Sequence, residues 1–304
     1  MASLQATPVH VPAPTSERPA VSVSTLLVAT DFSPASDGAL RCAAALAQRL
    51  QAKIFLLHVL PFQPGYPKPM QLMSTELDGD ENDANAKLYQ ALSAPELKGI
   101  PHEALLCRSE LWPALEANIR HLHAGMVVVG THGREGFRKL LLGSVAEQVF
   151  RQSTCPVLTV GPHLDLDCLQ DGGFRRVLYA TDLSESSRHA LPYALALAKQ
   201  NLTLLHVLCS DITAAEYGAT VFDRQDFASA RDSLRTMIPP SMDADVIVES
   251  GLPASTILRI AQEQNANLIV MGVNPSSAFA ATHLPWATAH RVICDAHCPV
   301  LTVR

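Results

Sequence analysis

Aromatic residues make up only 5% of this 304-residue sequence, and charged residues only 17%. With so little charge, ample material is left for buried cores, and with so few aromatics those cores must be aliphatic. The formal net charge is −6, so the basic surface that generic nucleic-acid or anionic-membrane binding needs is missing. No apolar run approaches the roughly 20 residues that a membrane helix requires. Residues 1–20 hold neither an apolar h-region nor an Arg-rich amphipathic pattern, so no export or transit signal is expected, and the expected location is cytoplasmic. The seven cysteines are odd in number and scattered, which reads as reduced thiols rather than a disulfide framework. No lysine stands in a Gly-x4-Gly-Lys pattern, which excludes a P-loop NTPase. No Ser, His and Asp stand in nucleophile-elbow order.

What is present is apolar. Hydrophobic residues reach 48%, and most are Ala, Val and Leu, which suits Val-rich buried strands covered by Ala- and Leu-rich helices. The length suffices for two ordinary domains. Residues 1–22 contain Pro8, Pro12, Pro14 and Pro19 without periodicity and read as a disordered tail. Thr25–Thr30 is a buried strand ending at Asp31. Ser33-Pro34 is a helix start, with Ser as N-cap and Pro at the first helical position, and the helix runs over Ala35–Leu50. Lys53–Val59 is a second strand. A proline-rich loop, an acidic stretch Glu76–Asp83 and a helix from about Ala84 to Leu92 follow. His102–Cys107 reads as a third strand, Pro113–His121 as a helix, Met126–Val129 as the fourth strand and Pro156–Val160 as the fifth. This alternation predicts a parallel sheet with helices on both faces.

Between the fourth strand and the next helix lies Gly130-Thr-His-Gly133-Arg-Glu-Gly-Phe-Arg-Lys-Leu-Leu-Leu-Gly143-Ser144. Ser144 followed by Glu147 is a capping-box pattern and predicts a helix N-cap at Ser144. Unpaired amides and the helix dipole at such an end favour an anion, and glycines let it approach the backbone. Arg134, Arg138 and Lys139 against Glu135 make the loop locally basic inside an acidic protein.

After a linker, residues 162–174, the pattern restarts. Val177-Leu-Tyr-Ala-Thr-Asp182-Leu-Ser184 parallels Leu26-Leu-Val-Ala-Thr-Asp31-Phe-Ser33. Leu204-Leu-His-Val207 parallels Leu56-Leu-His-Val59, and Leu268-Ile-Val-Met-Gly272 parallels the strand ending at Gly130. Cys298-Pro-Val-Leu-Thr-Val303 repeats Cys155-Pro-Val-Leu-Thr-Val160 residue for residue. Four matches in one order mark an internal duplication of a single α/β unit, with domains expected at 23–161 and 175–304.

The strand ending in Ala-Thr-Asp-Phe-Ser, the strand ending in Leu-Leu-His-Val and the spacing Gly130-x2-Gly133-x9-Gly143-Ser144 together resemble the universal stress protein family, here in tandem form. The resemblance implies two doubly wound α/β domains, each an open five-stranded parallel sheet of order 3-2-1-4-5. It places a ligand crevice where strands 1 and 4 meet. It also implies ATP, with Mg2+ or Mn2+, as the ligand. Residue by residue, Gly130, Gly133, Gly143, Ser144 and Val145 match the positions at ribose and phosphates, and Val59 the position whose main chain meets adenine. Asp31 matches the acidic residue at the nucleotide, Ala29 and Val129 lie on the same walls, and His132 stands between two of the glycines. The residues leave two alternatives open: Asp31 as the cap of a turn, and His132 as a solvent-facing residue. His58, repeated as His206, reads as a strand-end histidine.

The second unit departs from this pattern. Its loop begins at Gly272 and carries Pro275 in place of the second glycine; where Gly and Ser would stand it has Pro285-Trp286, counting forward, or Trp286-Ala287, counting back from Cys298, so both are lost either way. No Lys, Arg, Asp or Glu lies between Gly272 and Ala287. The expectation is a stress-response protein with ATP as a sensed ligand in the first domain and no catalysis. The second domain is expected to be a silent partner, paired through Val157–Val160 and Val300–Val303, with a further homodimer compatible. The alternatives are a slow ATPase or phosphotransferase, and a nucleotide-independent scaffold or apolar-ligand binder near Trp286. Cys294, His297 and Cys298 are metal-ligating types set too close together to complete one tetrahedral site.

Overall fold

The computed structural model describes residues 21–61, 72–131, 142–161, 174–198, 201–209, 222–240, 242–273 and 284–304. The tail 1–20 and most of the linker lie outside that set. So do His132, Gly133, Pro275 and the basic residues of the glycine-rich segment.

In the first half β1 (Thr25–Ala29), β2 (Lys53–Pro61), β3 (His102–Ser109), β4 (Met126–Gly130) and β5 (Val157–Val160) alternate with helices. These are α1 (Pro34–Leu50), α2 (Leu72–Leu92), α3 (Leu111–His121) and α4 (Ser144–Gln152). The second half repeats this with β6 (Arg176–Thr181), β7 (Asn201–Leu208), β8 (Asp245–Ser250), β9 (Leu268–Gly272) and β10 (Val300–Val303). Its helices are α5 (Glu185–Arg188), α6 (Leu191–Leu197), α7 (Arg224–Thr236), α8 (Pro253–Glu263) and α9 (Leu284–Asp295).

Each half has the strand order 3-2-1-4-5, and the two sheets are continuous: β3-β2-β1-β4-β5-β10-β9-β6-β7-β8. Every pairing is parallel except the central one. There β5 runs antiparallel to β10, with Leu158 opposite Leu301. The Thr159 hydroxyl donates to Val300 O at 3.1 Å and the Thr302 hydroxyl to Val157 O at 3.3 Å. The seam thereby satisfies hydroxyls that a buried strand would otherwise strand without partners.

Side chains alternate across the sheet, as the pleat demands. Leu26, Val28, Ile54 and Leu56 join one core with α1, α2, α6 and α7. Leu27, Ala29, Phe55 and Leu57 join the other with α3, α4, α8 and α9. Each core includes buried residues of both halves.

Helix α1 starts as its sequence dictates. Ser33 is the N-cap, accepting from Ser36 N, and Pro34 opens the helix. Its counterpart is broken into α5 and α6, with Pro192 in the first turn of α6. Proline cannot continue the hydrogen-bond ladder of a preceding helix. The expectation at Ser144 is corrected. Gly143 is the N-cap, Ser144 is the first helical residue, and no side chain caps the end. Glu147 instead pairs with Arg151 at 2.9 Å, an i,i+4 pair that competes for the carboxylate a capping box needs. Helix α2 also starts twelve residues before the expected Ala84.

Candidate functional site

Strands β1 and β4 are neighbours, with Leu26 opposite Met126 and Val28 opposite Val128. Beyond their carboxyl ends the chain turns to opposite faces, into α1 on one side and α4 on the other. This divergence opens a crevice at the switch point. Its volume is about 480 Å³, within the range of small-molecule sites. Eight of the ten expected positions line it: Ala29, Asp31, Val59, Val129, Gly130, Gly143, Ser144 and Val145. His132 and Gly133 belong to the segment outside the described residues.

The segment that carries those two is pinned at its ends. Thr131 is buried; its N–H donates to Val160 O at 2.9 Å, and its carbonyl accepts from Gly143 N at 2.7 Å. The described chain therefore leaves at Thr131 and returns hydrogen-bonded to it at Gly143. At the return, Gly143 has φ −57° and ψ 146°. Any L-residue adopts that conformation, so the backbone itself does not demand glycine at Gly143. Ser144 is exposed to the crevice, and its hydroxyl has no hydrogen-bond partner among the described residues. The first amides of α4 have no intrahelical acceptor, and with the helix dipole they form an anion-binding end.

Gly130 has a second, structural role. A Cβ there would lie 2.8 Å from the carbonyl carbon and oxygen of Ala35. Glycine is what allows the first turn of α1 to close over the end of β4.

Asp31 sits in a turn that fixes its carboxylate. Its Oδ1 accepts from Ser33 N at 3.0 Å. Burial alone would raise its pKa; bonds from the hydroxyl and amide of Ser33 and the hydroxyl of Ser36 outweigh this and hold it below the ordinary value of 3.8. Next to it Phe32 has φ 61°, a left-handed conformation that costs a bulky residue ~1–2 kcal/mol. Thr30 Oγ1 stabilises that turn, accepting from Phe32 N at 3.0 Å. His58 Nδ1 donates to Thr30 O at 2.7 Å, and its ring lies 4.4 Å from that of Phe32.

The second half reproduces this turn. Leu183 has φ 65°, Ser184 N donates to Asp182 Oδ1 at 2.9 Å, and His206 Nδ1 donates to Thr181 O at 2.9 Å. The same balance of burial against bonds from Ser184 and Ser187 lowers the Asp182 pKa. The Asp turn and the strand-end histidine are thus features of the fold, and a ligand is not needed to explain them.

The halves differ at the helix that follows the fourth strand. By strand register Val157 corresponds to Val300, so Ser144 corresponds to Ala287. Ser144 is the first residue of α4, whereas Ala287 is the fourth of α9. The amide that is free in the first half therefore falls at a position already inside the helix in the second. Pro285, in the first turn of α9, removes another donor.

Sequence reasoning did not assign several residues that also line the crevice, among them Thr30, Ser36, Leu57, His58, Pro61, Ser109, Glu110 and Leu111. Thr30, Leu57 and His58 lie inside the quoted strand-end motifs, whereas Pro61, Ser109, Glu110 and Leu111 lie at or just beyond the ends of β2 and β3 and carry no motif. The predicted strand order was the signal that brings the ends of β2 and β3 to the same wall. Elsewhere, Cys294 Sγ lies 3.9 Å from His290 Nδ1. Among the described residues no group of three or more His, Cys, Asp and Glu side chains is arranged to hold a metal ion. No helix of the described residues is long and apolar enough to cross a membrane.

The crevice thus combines an anion-binding helix end, an aliphatic wall and one fixed carboxylate. Comparison with known proteins fits this architecture. The model of the universal stress protein family matches residues 23–161 and again 173–304. The universal stress protein YxiE of Bacillus subtilis is 29% identical over 143 residues, covering 44% of this chain and 97% of that protein. The universal stress protein MJ0531 of Methanocaldococcus jannaschii is 27% identical over 146 residues, covering 44% and 80%. A crystal structure of a universal stress protein from Archaeoglobus fulgidus shares the fold over 93% of this chain and 98% of its own, at 22% identity and a TM-score of 0.66. The chain belongs to the universal stress protein family, and it carries the family's domain twice in tandem.

Proposed function

We propose that the first half binds ATP in the crevice between β1 and β4, as a sensed or regulatory ligand, and that the second half is a partner that does not bind nucleotide in this way. The observation that carries this reading is the difference between α4 and α9. The first opens at Ser144 with free amides beside Gly143; the second begins three residues earlier and contains Pro285. Phosphates would lie against the start of α4, and the base against the aliphatic residues Leu57, Val59 and Leu111. The ionised Asp31 carboxylate is a hard oxygen ligand suited to Mg2+ or Mn2+. Such ions are usually held by one or two carboxylates together with substrate phosphates.

Nothing in this reading requires turnover. His58, which lines the crevice, donates its Nδ1 proton to a backbone carbonyl, and Asp31 is held ionised by its own turn.

Equilibrium dialysis of the full chain with Mg-ATP tests the proposal. Gly143→Trp keeps the local backbone conformation accessible and fills the space before α4, so it should abolish uptake. Uptake by the variant equal to that of the unaltered chain, or no uptake by the unaltered chain, would refute the proposal.

A further inference from the structure

The wall of the crevice farthest from α4 ends in a carboxylate. Glu110 lines the crevice one residue beyond the β2–β3 ladder, whose last paired residues are Pro61 and Ser109. The strand order β3-β2-β1-β4 separates it from the end of β4 by three strand spacings, or ~14 Å. Phosphates held at the start of α4 are therefore out of its reach, and a base lying against Val59 is within it.

Glu110 has no structural task that the described residues reveal. It is the N-cap of α3, yet its side chain makes no capping hydrogen bond. Its carboxylate has no partner among the described residues. The internal repeat supplies a comparison. The β7–β8 register, in which His206 faces Val248 as His58 faces Leu106, makes Leu252 the counterpart of Glu110. Leu252 is likewise the N-cap of α8, likewise without a side-chain cap, and it is 69% exposed. The fold thus accepts an aliphatic residue at this corner. The carboxylate is found in the half whose helix end can take phosphates.

We infer that Glu110 reads the base: its carboxylate accepts a hydrogen bond from the exocyclic amino group of the bound nucleobase. This inference rests on the nucleotide reading above. An ionised carboxylate only accepts hydrogen bonds, so it favours a base edge bearing an amino donor and opposes one bearing a carbonyl oxygen. ATP and inosine triphosphate differ at this position, amino against oxo, and share the ribose and phosphates. A site that hydrogen-bonds a donor rejects the analogue that lacks it.

Competitive binding of ATP, inosine triphosphate and 2′-deoxy-ATP to the full chain and to two variants tests the assignment. The unaltered chain should prefer ATP over inosine triphosphate by about 10-fold, the lower end of what a charged hydrogen bond supplies at an open site. Glu110→Ala should reduce that preference to near unity by weakening ATP. Glu110→Gln should narrow it from the other side, because its amide can donate to the 6-oxo group and so strengthen inosine triphosphate. The ratio of ATP to 2′-deoxy-ATP should be the same in all three proteins. An unchanged ATP-to-inosine preference in both variants overturns the role of Glu110, and so does a variant effect on the deoxy ratio, which would place the carboxylate at the ribose. Failure of the unaltered chain to bind any of the three overturns the nucleotide reading itself, and this inference with it.

Discussion

Gly130 at the end of β4 packs so closely on Ala35 in α1 that a methyl group would sit 2.8 Å from the Ala35 carbonyl. The equivalent position in the second half is tighter. A Cβ on Gly272 would lie 2.3 Å from Ser187 Cα and 2.8 Å from Ser186 O. Both contacts are with backbone, which cannot rotate away as a side chain can.

Gly130→Ala and Gly272→Ala should therefore both destabilise the chain, by ~1–3 kcal/mol for Gly130 and by more for Gly272. Denaturant titration of the two variants measures this. Only Gly130→Ala should also weaken ATP, because the turn it displaces forms part of the crevice. Equal stability of both variants and the parent would show that the two helix starts are not close-packed as described.

The two Asp turns give a pH test. Asp31 and Asp182 both have pKa values below the ordinary 3.8 in the folded chain. A lowered carboxylate pKa contributes stability that is fully present above the unfolded value, and that stability is lost as pH falls through the folded value. Asp31→Asn and Asp182→Asn should each lower stability by ~0.5–1.5 kcal/mol near pH 7, and the deficit should shrink as pH falls below about 4. The two should look alike in stability, while ATP affinity should respond only to Asp31→Asn. A deficit that grows in acid would contradict the assigned direction.

The contrast between these pairs shows how far the sequence could be read. The strands were legible because Met126-Val-Val-Val129 and its relatives are continuous apolar runs with turn signals at each end. The duplication was legible because Cys155–Val160 and Cys298–Val303 are identical. Helix α2 was not, because Glu76–Asp83 is polar, contains Gly79 and shows no apolar stripe; its buried Ala84, Leu88 and Leu92 mark only the final turns. The capping role of Ser144 was misread because Glu147 has a competing partner, Arg151, that a three-residue pattern ignores. Gly130 was assigned to the ligand from its motif, whereas its packing on Ala35 depends on a helix nearly a hundred residues earlier in the chain. Glu110 carried no motif at all, and it stands out only when the two halves are laid on one another.

Arg49 ties the halves together. Its Nε and Nη2 donate to Ala196 O at 3.0 and 2.8 Å, and Nη2 also to Ala198 O at 3.0 Å. These carbonyls belong to the end of α6, where acceptors lack helical partners. Arg49→Ala should cost ~1.5–3 kcal/mol in chemical denaturation. Arg49→Lys should restore little, because an ammonium cannot reproduce the rigid fork that spans both acceptors. Full rescue by lysine would show that charge alone matters there.

The proposed asymmetry lies within a duplicated chain: one half would take a nucleotide, and its twin has an earlier helix start and a proline in the same place. Calorimetric titration of the intact protein with Mg-ATP counts the sites directly. The prediction is one site per chain. Two sites per chain would contradict the account.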